Sequence, residues 1–178
     1  PDFVALPDPT TAEEVPELFD DELAGLSSAE FVRWCTDGIE EARAVAPDVI
    51  LQGGVGTVVG EAALASSTGV CVTSRGTSMD IGFMAIIVRD DDVGSYFEQD
   101  FARRVRDFQP TGVARTATVE ALRQLGSRPA GTARMPIVLG PLATMSLVGS
   151  LVGAMSAESV QRNRSYLAGR AGYRFHRN

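Results

Sequence analysis

The chain has 178 residues, 44% of them hydrophobic and 22% charged, enough to bury a core as one domain or one large domain with an arm. Its two cysteines, Cys35 and Cys71, are too few and too far apart for a disulfide framework or a metal cluster, and its single histidine, His176, excludes an ordinary zinc site or a histidine triad. The net charge of −7 is uneven: residues 1–48 carry thirteen carboxylates against Arg33 and Arg43, and residues 49–178 carry ten against fourteen arginines. An acidic leading segment therefore precedes a mildly basic body, which reads as a solvated face.

The first residue is proline and no basic start precedes an apolar run, so the sequence reads as an internal piece of a longer product. Buried thiols without a disulfide pattern point to a reducing, cytoplasmic setting. Residues 1–26 hold Pro1, Pro7, Pro9 and Pro16 among scattered acids and predict an acidic, extended arm, taken as 1–27, lying on the surface without regular structure. Ser27 and Ser28, with Glu30 behind them, start a helix over 28–46. Its apolar stripe is Phe31, Val32, Cys35, Ile39, Ala42 and Val45, with Trp34 off the stripe, covering a loop or a partner.

From Asp48 the period changes. Short runs at 49–51, 56–60, 61–66, 70–74, 81–88 and 96–105 are rich in β-branched or aromatic residues and predict antiparallel strands joined at 66–69, 75–78 and 89–92. The run 83–88 is almost continuously apolar and predicts a central strand covered on both faces. Asp90, Asp91 and Asp92 read as a solvated turn rather than a metal site. Gly53, Gly54 and Gly56 lack the Gly-Lys-Ser/Thr of a phosphate loop and predict a bulge or a close strand approach. A second helix over 114–125 points Val119, Leu122 and Leu125 inward and stops at Gly126.

No charge occurs between Arg134 and Glu158. That is about the length of a spanning helix, but Pro136, Gly140 and Pro141 divide it, leaving 142–155 too short to cross a membrane. The expectation is a buried strand over 135–139, a Gly-Pro turn and a buried helix. Gly149 and Gly153 form a ridge that lets two backbones approach, in the chain's own core or against a partner. The closing segment carries Arg162, Arg164, Arg170, Arg174 and Arg177 against Glu158, with Tyr166, Tyr173 and Phe175. A solvated face or protein interface fits this better than nucleic-acid binding. The fold class is therefore α+β: a curved antiparallel sheet of several strands with helices on one face, forming one domain over 28–178.

The order of these features resembles the TldD/PmbA family. The residues that carry the likeness are Pro-Asp-Pro at 7–9, Ser-Ser-Ala-Glu at 27–30, Leu-Arg-Gln-Leu-Gly-Ser-Arg at 122–128, Met-Pro-Ile-Val-Leu-Gly-Pro at 135–141 and Leu-Val-Gly-Ser-Leu-Val-Gly-Ala-Met-Ser at 147–156. The family is often labelled modulator of DNA gyrase and is understood as paired metallopeptidase subunits. The resemblance implies a fragment of a larger two-domain protein: an N-terminal-type domain without the family's leading part or its β-rich C-terminal domain. In the TldD branch the late helix carries His-Glu-x-x-x-His, which holds zinc with the glutamate as base. Laid over that motif, this chain has Gly149, Ser150 and Ala154, which implies the TldE (PmbA) branch. No catalytic residue, metal ligand or cofactor is expected in this chain; zinc is expected in a TldD-like catalytic partner, an extended peptide as substrate, and self-association of the fragment. Two other readings are open: a stand-alone nucleic-acid or gyrase-associated binding protein, and a peptidase whose metal ligands lie in segments outside this chain.

Overall fold

The long hairpins begin where β-branched residues replace helical spacing. In this computed structural model, residues 6, 8, 9 and 15–170 are described. Most of the leading arm and the end of the chain, with His176, Tyr173, Arg174, Phe175 and Arg177, lie outside the described residues. The chain divides into two compact units, Pro1–Arg128 and Pro129–Asn178.

In the first unit, β1 (Ile50–Ala65), β2 (Cys71–Arg89) and β3 (Asp92–Ala102) form an antiparallel meander in the order β1-β2-β3. The expected breaks inside 49–66 and at 75–78 are absent, because β1 and β2 pair without interruption from Ile50↔Ile86 to Ala65↔Cys71. Each strand supplies the partner that a locally weak, glycine-rich stretch lacks. The turns at 66–69 and 89–92 are present, and the aspartate run closes the β2–β3 hairpin, with Asp90 at φ 53. Gly53, at φ 153, lies so close to β2 that a Cβ would stand 2.0 Å from the Gly82 carbonyl oxygen, so close strand approach is what the glycines provide.

Strand alternation assigns the core. Thr77, Met79, Ile81, Phe83, Ala85 and Ile87 are buried on one face of β2. Met84 and Ile86 on the other face are half-buried and Val88 is exposed, so the central strand is covered on one face and not on both. The covering helices are α2 (Ser28–Val45) and α3 (Val113–Gln124). Each large aliphatic side chain removed from water here contributes about 1.5–3 kcal/mol.

Small residues let both helices lie close to the sheet. In α2 the inward face is Gly38 and Ala42, with Trp34 half-buried; Val32 and Ile39, assigned to the stripe from the sequence, are exposed. The helix is rotated because Gly38 receives the Phe83 ring: a Cβ there would stand 2.9 Å from Phe83 Cε2. Trp34 packs edge-on to Phe108, with ring centroids 5.4 Å apart, and covers the turn after β3 as one of its two expected roles. In α3 the deepest positions are Ala114, Ala117 and Ala121, while Val119 and Leu122 are half-buried. α3 lies over β3 closely enough that a Cβ on Gly94 would stand 2.0 Å from the Ala121 carbonyl oxygen. The Glu30 carboxylate closes the N-terminus of α2 by accepting from the Ser27 amide at 2.9 Å and from its hydroxyl at 3.1 Å.

The leading segment is more structured than a surface arm. Asp20 caps a short helix, α1 (Asp21–Ala24), through the Glu22 amide, and its other carboxylate oxygen accepts from the Val105 amide at 2.8 Å. Leu23 is 2% exposed and belongs to the core. A single apolar residue among acids gives no periodic signal, so burial of Leu23 was not legible from spacing.

In the second unit, residues 129–140 have no regular structure, followed by α4 (Pro141–Ala154) and α5 (Ala157–Gln161). The helix start at Pro141 is as expected, with Gly140 as N-cap and its carbonyl accepting from the Thr144 amide at 2.9 Å. The strand over 135–139 does not form, because a strand exists only against a neighbouring strand and none is present among the described residues of this unit. Val138 is 98% exposed. Nor is α4 buried: none of its residues is. Its hydrophobicity is real, but burial also requires a covering layer.

Candidate functional site

The residues singled out from the sequence all lie on α4. Gly149 has no side chain, and no atom outside the helix lies within 4 Å of where its Cβ would stand; the same holds for Gly153. The glycine ridge is therefore open rather than packed. The Ser150 hydroxyl donates to the Ser146 carbonyl at 2.9 Å, a bond within the helix. Ala154 ends the helix and its carbonyl accepts from the Ser165 hydroxyl at 2.6 Å. Three successive positions of this set thus offer a hydrogen atom, one hydroxyl already bonded backwards and a methyl group. Zinc prefers nitrogen, sulfur and carboxylate donors, and this trio does not fit it. Among the described residues, no group of three or more His, Cys, Asp or Glu is placed to hold a metal.

Of the closing arginines, Arg162 pairs with Glu158 one helical turn away at 3.1 Å. Cys35 is half-buried and Cys71 exposed, both as free thiols, so the buried-thiol expectation holds for neither in full.

The first unit contains a feature that spacing did not suggest. β3 pairs with β2 only from Met79 onward, so the β1–β2 hairpin extends past the sheet as a two-stranded ribbon. Beside its β2 edge runs the leading segment, whose Leu18 carbonyl accepts from the Thr77 amide at 2.9 Å. The Thr77 hydroxyl joins the contact, accepting from the Asp20 amide at 3.0 Å and donating to the Arg103 carbonyl at 2.9 Å. Phe19 lies under the Arg75 guanidinium, 3.7 Å from ring centroid to Cζ, and Arg75 pairs with Glu61 across the ribbon at 3.1 Å. Arg104 bridges Glu17 and Asp107, and these partners, Asp107 foremost, raise its pKa above the usual arginine value. Between leading segment and ribbon is an open groove of about 760 Å³. The sequence assigned 75–78 to a turn, which hid this edge; the alternation of Thr73, Arg75 and Thr77 was the available signal.

The sequence matches the PmbA/TldA metallopeptidase central domain over residues 21–125 and the C-terminal domain of the same family over residues 132–177. The interval between the two matches contains the boundary between the two structural units. Three solved structures are similar in fold. A proposed modulator of DNA gyrase from Thermotoga maritima is 23% identical with a TM-score of 0.78, over 93% of this chain and 39% of that one. Another from Bacteroides thetaiotaomicron is 19% identical with a TM-score of 0.81, over 92% of this chain and 39% of that one. TldE from Thermococcus kodakarensis is 24% identical with a TM-score of 0.75, over 96% of this chain and 39% of that one. The chain thus spans about two fifths of the length of the structures it matches. A comparison with curated proteins finds no match.

Proposed function

The chain belongs to the PmbA/TldD metallopeptidase family, and on that premise we propose that it is part of a TldE-like, non-catalytic subunit of a heteromeric metallopeptidase that cleaves unfolded or extended peptides. The observation that carries this reading is the α4 helix, where Gly149, Ser150 and Ala154 stand in the positions proposed for the zinc ligands and base of a catalytic sister chain. A glycine and an alanine at these positions supply no ligand atom, so zinc belongs to the partner and this chain contributes shape: it completes the chamber, excludes folded substrates and presents strand edges to a peptide. The free thiols Cys35 and Cys71 fit work in the reducing cytoplasm, and no helix among the described residues is long and apolar enough to cross a membrane. The exposed apolar residues of α4, among them Met145, Leu147, Val148 and Val152, lead the isolated chain to self-associate, so light scattering returns a mass above the monomer.

The test is co-purification of the full-length protein with a partner that carries His-Glu-x-x-x-His, followed by peptide cleavage assays of each half and of the mixture. Activity only in the mixture or the partner, with zinc confined to the partner, is expected. Cleavage by this protein alone, or one zinc per chain in its purified form, overturns the reading.

A further inference from the structure

We infer that the β1–β2 ribbon is hinged where it leaves the sheet, at the facing pair Gly60 and Gly76, and that residues 15–20 are a strap that locks this hinge. The device is a property of the first unit and does not depend on the peptidase reading. The hinge is written in the strands. β3 pairs with β2 only as far as Met79, and beyond that point β1 and β2 are each other's only strand partners among the described residues. None of residues 61–75 is buried, so the ribbon has no core of its own to fix its direction. At its base two glycines stand opposite each other, and a Cβ built on Gly60 would meet nothing within 4 Å. Facing glycines leave one rung of the ladder without a cross-strand side-chain pair, and the ribbon bends there more readily than at its neighbours. From Gly60 to Ala65 the arm is about 17 Å long at roughly 3.4 Å per residue, so a small tilt at the base moves the turn a long way. The Arg-Gly-Thr-Ser stretch at 75–78 thus marks a bend within one strand rather than a turn between two.

The strap grips both sides of the glycine rung. On the sheet side the Leu18 carbonyl accepts from the Thr77 amide at 2.9 Å, and the Asp20 amide donates to the Thr77 hydroxyl at 3.0 Å. Thr77 is 1% exposed, and its hydroxyl donates onward to the Arg103 carbonyl, so one side chain ties together the strap, β2 and the chain after β3. On the ribbon side Phe19 lies under the Arg75 guanidinium, and Arg75 pairs with its register partner Glu61 in the first rung beyond the glycines. The strap is itself anchored: Glu17 pairs with Arg106 at 3.0 Å, Asp20 accepts from the Val105 amide, and Leu23 follows in the core. A segment fixed to the sheet that also holds the rung beyond a flexible pair prevents that pair from bending. Of these contacts, Phe19 on Arg75 is the one that reaches across the hinge, and it is where the strap releases.

The experiment measures the distance between spin labels by pulsed electron paramagnetic resonance. One label is placed on Cys71, exposed near the ribbon turn, and one on Arg115→Cys, exposed on α3, in a Cys35→Ala background. Dilution with unlabelled chain restricts the reading to distances within one molecule. The parent is expected to give one narrow distribution. Phe19→Ala broadens it and shifts its mean, and Thr77→Val, which keeps the volume and removes both hydroxyl bonds, does so further. Adding Gly60→Val, where there is room for a side chain, stiffens the rung and narrows the distribution again. If Thr77→Val does not fold, Phe19→Ala carries the test, since Phe19 is only half-buried. A distribution unchanged by Phe19→Ala overturns the strap, and so does a parent distribution as broad as the variant's. Broadening that persists in Phe19→Ala with Gly60→Val places the motion elsewhere and overturns the hinge.

Discussion

The helices α2 and α3 of the first unit are apolar over a smaller share of their length than α4 of the second, yet they contain buried residues and α4 contains none. Gly38, Ala42, Ala114, Ala117 and Ala121 are small, and their value lies in bringing a helix axis close to the sheet. Leu147, Val148, Leu151 and Val152 are large and remain exposed because no layer covers them. Apolar content measures what burial would gain; the neighbouring surface decides whether it is gained.

The largest test of this difference is Phe83→Ala. Phe83 is 3% exposed and packs against Gly38, so its truncation costs about 3–5 kcal/mol in urea unfolding followed by Trp34 fluorescence. A cost below about 1 kcal/mol would mean that the first unit's core is not organised around β2. Next is Gly38→Ala, where a gain of about 1 kcal/mol in helix propensity is set against about 1–3 kcal/mol of overpacking on the Phe83 ring. A net loss near 1 kcal/mol is expected, and combining it with Phe83→Leu should recover most of that loss, since the two sites share one space.

Ser27→Ala removes the hydroxyl that donates to Glu30 at the start of α2 and is expected to cost about 0.5–1 kcal/mol. A related effect appears with pH. The Ser27 backbone amide, foremost among its neighbours, holds the Glu30 carboxyl below the ordinary glutamate value, and the hydrogen bond from Arg89 does the same for Asp48. For a depressed carboxylate the folded pKa lies below the unfolded one, so the stabilisation is complete above the unfolded value and is lost as pH falls through the folded value. Stability of the first unit should therefore decline below about pH 4.5, and Glu30→Gln should flatten part of that decline. An unchanged pH profile in Glu30→Gln would remove the carboxylate from the cap. The smallest effect is expected for Leu151→Ala on α4, within about 0.5 kcal/mol, because Leu151 is already 42% exposed. A cost comparable to that of Phe83→Ala would show α4 covered in solution and would abolish the contrast between the two helices.

The position of α2 and α3, the hairpin turns and the start of α4 at Pro141 were legible because each rests on local chemistry: caps, turn residues and the fixed φ of proline. The rotation of α2 was not, since Val32 and Ile39 have better apolar spacing than Gly38 and only the Phe83 ring favours the glycine face. The groove beside Thr73 and Arg75 was hidden for the same kind of reason: Leu18 and Thr77 meet across 59 positions, and no local pattern encodes that meeting. Sequence by itself determined the α+β class, the family, and the absence of ligand atoms at Gly149 and Ala154, which follow from residue identity and short-range order. Tertiary structure alone decided which face of each helix is buried, how far β1 and β2 run as one ribbon, and that the apolar run of α4 stays uncovered, because those outcomes depend on which surfaces are brought together.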